Sequence, residues 1–394
     1  MHVTYLAHDL DDPSIWRRVE MLRRGGATVR IAGFRRGQGV LPESAILLGR
    51  TANGRMIQRV RAIIAAWPRI ARMIPPPDGP GPYVVLARNL EMLALGARLS
   101  RASKDGPRLV YELLDIHGMM LGQGAAARAL RRIEAALMRR TAMIVVSSPA
   151  FASHYLRPHG QPEVPALLVE NKPFARTAGR IAVPAKGGLE SGGPLVIGWF
   201  GMLRCRWSLH MLDQLTRSQP GRFRVALRGR PALDVMDDFH TVIAANPDLD
   251  FLGPYDWPGD LPAIYGDVDV AWLIDRYQAG QNSDWLLPNR LYEGCLNGAV
   301  PVVMAGTEVA RRAAEWGCDV TVPAPEADAV AAALSALDAE GLARRRAAVA
   351  AIPAAALEMD DAECCKLTAA ICGTLTVSQS NTAISAAPAL ASAR

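Results

Sequence analysis

The 394-residue sequence has no apolar run that reaches the roughly 20 residues of a membrane span. It also has no cysteine pair at metal-site or redox spacing. The six cysteines are Cys205, Cys295, Cys318, Cys364, Cys365 and Cys372, and the only close pair is adjacent. Such thiols fit packing roles in a reducing compartment, not a disulfide framework or a zinc site. No signal-peptide pattern precedes the first strand-like run, "HVTYLAHDL". A cytoplasmic protein is therefore expected. That run does not lead into Gly-x-Gly-x-x-Gly; His8, Asp9, Asp11 and Asp12 stand there instead, which argues against a dinucleotide dehydrogenase. Aromatic residues make up 6% of the chain and are not interleaved with the arginines, so nucleic-acid binding is not expected.

What is present is globular: half the residues are hydrophobic, 21% are charged, and the length suits two domains. The net charge is +6, with arginines dense from Arg17 to Arg72. That asymmetry fits an anionic partner for the first half, such as a membrane surface or a phosphorylated lipid, or simply a solvated arginine-rich surface.

Short runs rich in Val, Ile and Leu alternate with helical patterns. "VTYLA", "TVRIAGF", "YVVLA", "RLVYELL", "AMIVVS" and "ALLVE" read as strands of the first half. "LVIGWFG", "FRVALRG", "LDFLG", "VDVAWLI", "AVPVVMA" and "DVTVP" read as strands of the second. "PSIWRRVEMLRRGG", opened by Asp12 and Pro13, is a helix between the first two. The pattern predicts an α/β protein of two doubly wound, Rossmann-like domains. The expected bounds are 1–175 for the first, a Gly/Pro/Ala-rich linker at 176–194, and 195–352 for the second. A helical segment at 353–373 and a disordered tail at 374–394 follow.

Ligands of open parallel sheets bind beyond the carboxyl ends of the strands. In the second half, "GWFGMLRCRW" puts Gly201, Arg204 and Arg206 on one strand-to-helix turn, suited to phosphate or to a plain tight turn. Arg228 ends the next strand, and Tyr255 follows Gly253, where an aromatic could hold a nucleobase. "PNRLYEGCLNGAVPVV" sets Asn289, Arg290 and Glu293 at the head of a helix that leads into a buried strand. The arginine fork matches phosphate oxygens in pairs. In the first half, Arg88 and Asn89 follow "VVLA", and Asp115 and His117 follow "LVYELL". Asp115 and His117 alternate along an extended segment, so they either share a side and do proton chemistry on a sugar, or act as a helix cap and a surface imidazole.

The series "GWFG…RC", "LDFLGPY…DLPAIYGDVDVAWLI" and "PNRLYEGCLNGAVPVV" resembles the donor domain of GT-B glycosyltransferases. It is most similar to glycosyltransferase family 4 and its exopolysaccharide-assembly members, some of which also begin with a motif like "HDLDDP". The resemblance covers residues 1–372 and is most specific across 249–303. It implies a hexosyltransferase with no cofactor, moving a sugar from a nucleotide diphosphate sugar to a lipid-linked or other saccharide acceptor. Retention of anomeric configuration and independence of metal ions are also implied. Glu293 then takes the ribose hydroxyls and Arg290 the diphosphate, with Gly201, Arg204, Arg206, Arg228, Tyr255, Asp284 and Asn289 completing the donor site. Asp115 and His117 are the catalytic candidates, and His8, Asp9, Asp12, Arg88 and Asn89 the acceptor-side ones. The family motif has a further glutamate upstream; here that place falls at Trp285 beside Asp284, and Asn282, Ser283 and Asp284 meet the sugar instead. A nucleotide-sugar epimerase and an inactive donor-binding partner are the rival readings.

The segment 55–74 sets Val60, Ile63, Ile64, Trp67 and Ile70 among Arg55, Arg59, Arg61, Arg69 and Arg72, with Pro68 as a break. It is either an interfacial helix on the inner face of the cytoplasmic membrane or a helix packed on the first sheet.

Overall fold

The computed structural model describes residues 1–51, 56–101, 106–175, 189 and 192–375. Arg55, most of the expected linker and the tail from residue 376 lie outside the described residues.

Two compact units emerge. The first takes in Met1–Glu170 and regains the chain at Asp360; the second starts at Asn171 and runs to Met359. The first sheet holds seven strands: β1 His2–Ala7, β2 Thr28–Arg35, β3 Ile46–Arg50, β4 Tyr83–Arg88, β5 Arg108–Leu113, β6 Met143–Val146 and β7 Ala166–Leu168. They are ordered β3-β2-β1-β4-β5-β6-β7, with every pairing parallel. The second sheet holds six: β8 Leu195–Leu203, β9 Phe223–Pro231, β10 Leu249–Phe251, β11 Val270–Trp272, β12 Val300–Met304 and β13 Val320–Val322. Their order is β10-β9-β8-β11-β12-β13, again parallel throughout. Helices cover strands like these on both faces, so the strands read as nearly continuous apolar runs. The second core gathers Trp199, Phe200, Phe223, Trp272 and Tyr292 around them.

In each sheet the first strand lies between neighbours that wind in opposite directions: β1 between β2 and β4, β8 between β9 and β11. Each therefore opens a crevice at its carboxyl end. Local signals place the chain there. The Asp12 carboxylate accepts the Ser14 amide at 2.9 Å and caps the helix Pro13–Arg24. The helix Met56–Ala66 stops two residues before Pro68, and a single turn, Ile70–Met73, follows.

The last helix, Asp361–Cys372, belongs to the first unit. It packs on Pro13–Arg24, and the Thr368 hydroxyl donates to the Gly25 carbonyl at 2.7 Å.

Candidate functional site

At the β8 crevice three neighbouring strand ends approach by backbone alone. Gly201 and Gly229 are paired across β8 and β9 with φ of 101° and 133°. A β-carbon on Gly229 would lie 1.8 Å from the Gly201 carbonyl oxygen, so no other residue fits there. The Gly229 amide in turn donates to the Gly253 carbonyl at 2.9 Å.

Around this turn the structure gathers Tyr255, Trp257, Arg290 and Glu293. A β-carbon at Gly201 would stand 3.9 Å from the Tyr255 hydroxyl and 4.0 Å from the Arg290 Cδ. Glu293 is 3% exposed, on the inner side of the helix Asn289–Leu296, and accepts the Trp257 indole N–H at 2.8 Å. Burial, with the Glu293 carboxylate nearby, pushes the Tyr255 hydroxyl up to about 12, so it stays a protonated donor. Arg290 makes no ion pair among the described residues, and the buried Arg228 Nε has no hydrogen-bond partner there. Trp257 was not foreseen: it sits in a Gly- and Pro-rich loop, where only its spacing from Tyr255 could have marked it.

Other expected donor residues stand apart. Arg204 is held by Asp275, at 3.3 Å, and lies over the Tyr277 ring at 5.1 Å. This spans the ends of β8 and β11, but the charge already has a carboxylate partner. Arg206 is turned away. As the first residue of the helix Arg206–Ser218 it donates to Asp237, to Asp238 at 3.2 Å and to the Val235 carbonyl at 2.7 Å, so the structure does not bring it to the Arg290 group. One position along a helix turns a side chain about 100°. Asp284 accepts the Gly280 amide at 2.7 Å and closes its own loop, while the Ser283 hydroxyl donates to Asp275 at 3.3 Å. Asn289 opens the Glu293 helix.

In the first unit the β1 crevice collects a denser polar group. Arg88 is buried and donates to Ser14 Oγ at 2.7 Å, with Asp12 and the Tyr5 hydroxyl each at 3.4 Å. Beneath it, Glu112 accepts both Tyr5 and Arg18 at 2.5 Å. Burial opposes the charge on Arg88, yet Tyr5, Glu112 and Asp12 together raise its pKa. Asp9 faces Arg36 at 3.4 Å, and Arg59 pairs with Glu91. His8 sits among these cations. Burial, then Arg88, lowers it to about 3, so it is neutral at physiological pH. Its Nδ1 and the Asn89 Oδ1 are buried with no hydrogen-bond partner among the described residues. Asn89 holds a φ of 68°, an uncommon conformation at the head of its helix.

Asp115 and His117 are both exposed and flank the buried Ile116, as alternation requires. The cap is His117, not Asp115: its Nδ1 accepts the Met119 amide at 3.3 Å and opens the turn Gly118–Leu121. Burial and Arg59 lower its pKa. A neutral imidazole that accepts at Nδ1 carries its proton on Nε2, so the free edge donates. Such a group can hold a sugar hydroxyl or stabilise a leaving oxygen; it is not set up as a base.

No protein-family model matches the chain. Its fold is that of solved GT-B proteins. It is similar to sucrose-phosphate synthase from Thermosynechococcus elongatus, with a TM-score of 0.68 at 14% identity, covering 95% of this chain and 98% of that one. It is also similar to HepE of Anabaena in complex with UDP-glucose, with a TM-score of 0.67 at 16% identity, covering 95% and 100%. The succinoglycan biosynthesis protein ExoL of Rhizobium meliloti (strain 1021) is 44% identical over 318 residues, 79% of this chain and 78% of the relative. At that identity and coverage, the chain belongs to the family of succinoglycan biosynthesis protein ExoL and carries the GT-B glycosyltransferase fold.

Proposed function

We propose that this protein is a glycosyltransferase of exopolysaccharide synthesis, transferring a sugar from a nucleotide diphosphate sugar to a lipid-linked saccharide at the inner face of the cytoplasmic membrane. The observation that carries the reading is the group at the β8 crevice: a buried Glu293 oriented by Trp257, beside a protonated Tyr255, a glycine turn and an Arg290 without a carboxylate partner among the described residues. A buried carboxylate aimed by an indole N–H suits the hydroxyls of a ribose. Arg290 then meets the diphosphate, whose charge grows as the glycosidic bond breaks, with Arg228 on β9 as a second cation. Asp115 and the Nε2–H of His117 act on the sugar, and the polar group of His8, Arg88 and Asn89 receives acceptor hydroxyls. The reaction retains anomeric configuration and uses no metal ion; both statements rest on the family resemblance.

The test is a thermal-shift panel of nucleotide sugars, followed by turnover with the one that stabilises. Because HepE has been solved with UDP-glucose, UDP sugars come first. A shift and a glycosylated lipid product support the reading. Product from donor alone points to an epimerase, a shift without turnover to an inactive partner, and no shift with any nucleotide sugar overturns it. The anomeric coupling of the product and turnover in a chelator report on the remaining two points.

A further inference from the structure

We infer that the helix Met56–Ala66 and the residue that extends it, Trp67, form a docking face for an anionic membrane surface. Val60, Ile64 and Trp67 recur at helical spacing in one stripe, and the Trp67 amide still bonds the Ile63 carbonyl at 2.9 Å, so the stripe is continuous. All three are exposed, at 46%, 66% and 38%. Ala66, Ile70 and Ile74 are buried instead and fasten the segment to the first unit. The two sequence-level alternatives thus divide between residues of one segment: one set anchors it, the other stands open.

The charges around the stripe define the partner. Arg61, Arg69 and Arg72 are exposed, and between Glu43 and Glu91 the only acidic residue is Asp78. Arg61 and Arg72 form no ion pair among the described residues, and Arg69 reaches only the Ala65 carbonyl of its own helix, at 3.0 Å. An apolar stripe with an interfacial tryptophan and unpaired guanidinium groups fits acyl chains beneath phosphate headgroups. A second copy of this chain would bring the same arginines together across a two-fold axis, which repels.

The position also matters. Arg59, about 100° round the helix from Val60, turns to Glu91 and acts electrostatically on His8 and His117. A bilayer under the stripe would hold a lipid-tethered saccharide beside the carboxyl ends of β1, β4 and β5. The inference rests on the proposed function for what is tethered there, but the docking itself does not.

The test is co-sedimentation of the full chain with phosphatidylglycerol-containing vesicles, with pure phosphatidylcholine as reference. The protein should pellet with the anionic vesicles at low salt and be released at high salt. At about fivefold per neighbouring arginine, the triple change Arg61→Gln, Arg69→Gln, Arg72→Gln should lose about a hundredfold in vesicle affinity. Ile64→Ser with Trp67→Ser should release it too. Both variants should keep the wild-type melting temperature and nucleotide-induced shift, which separates this surface from the donor site. Three outcomes overturn the inference: wild type left in the supernatant, equal binding to both lipids, or a stable dimer in light scattering that the stripe substitutions dissolve. A wild type that binds no vesicles yet shows the nucleotide shift would sink the surface and spare the proposed function, and one that binds vesicles without a nucleotide shift would do the opposite.

Discussion

Glu293→Ala is the sharpest probe of the donor reading. The carboxylate is 3% exposed and accepts the Trp257 Nε1–H at 2.8 Å. A hydrogen bond to a charged acceptor contributes about 1.5–3 kcal/mol net. Losing two, one to each ribose hydroxyl, costs about 3 kcal/mol at the low end, or about a hundredfold in nucleotide affinity. Glu293→Gln keeps an acceptor and the volume but drops the charge, and should fall between. Trp257→Phe keeps an aromatic ring but loses the N–H that aims the carboxylate, so a loss of a few-fold is expected. Deleting Glu293 also strands the Trp257 N–H, which costs about 1–3 kcal/mol of stability where the group stays buried. Circular dichroism at the assay temperature must therefore show each variant folded before titration. Isothermal titration with the nucleoside diphosphate that best stabilises the wild type gives the affinities. A folded Glu293→Ala variant that binds within twofold of wild type would refute the ribose assignment.

Arg290→Ala should lower turnover more than donor affinity and leave the melting temperature unchanged, since this side chain makes no ion pair among the described residues; steady-state kinetics beside a melting curve decide it. Asp115→Asn should lower kcat by about a hundredfold or more with donor affinity within a few-fold. For His117, the Asn variant can keep the cap while removing the Nε2–H. If His117→Asn turns over like wild type, the cap accounts for the residue. His8 sets a pH dependence. Its folded value of about 3 lies below the ordinary 6.5, so between those limits the unfolded chain holds a proton that the folded one lacks. Stability is complete above about pH 6.5 and falls as pH drops toward 3, with a slope approaching about 1.4 kcal/mol per unit. Denaturant midpoints of His8→Gln should fall less steeply across that window, and parallel curves would show that His8 titrates normally.

Twelve strands could be read from the sequence because parallel strands covered on both faces are continuous runs of Val, Ile and Leu. The thirteenth, Ile46–Arg50, could not. It is an edge strand, half exposed, whose short apolar stretch Ile46 to Leu48 is cut off at Gly49. The closing helix was visible as a helix, but nothing local says that Thr368 meets Gly25 more than 300 residues earlier. The same limit governs the site. Arg290 and Glu293 were legible because their spacing on one helix and the motif around them survive in the sequence. Where Arg206 points was not legible, because two aspartates that lie after β9 hold its side chain.

The charge arrangement in the two crevices gives a physical reason for a division of labour. Around the β1 crevice four cations each face an acid: Arg18 with Glu112, Arg36 with Asp9, Arg59 with Glu91, Arg88 with Asp12. Two phosphates placed there would compete with carboxylates already in position. Among the atoms it leaves open are two neutral ones, His8 Nδ1 and Asn89 Oδ1, buried and without a hydrogen-bond partner among the described residues. Leaving such atoms unmet costs about 1–3 kcal/mol each, a cost that a hydroxyl can relieve because it both donates and accepts. The β8 crevice is the reverse. Its acid, Glu293, is turned inward to Trp257, while Arg290 is left without a carboxylate and Arg228 with an unmatched Nε. Uncompensated positive charge beside a glycine turn favours a dianion over a sugar. On the proposed reading, a donor that enters by its diphosphate and an acceptor that enters by its hydroxyls are sorted by charge before any side chain does chemistry.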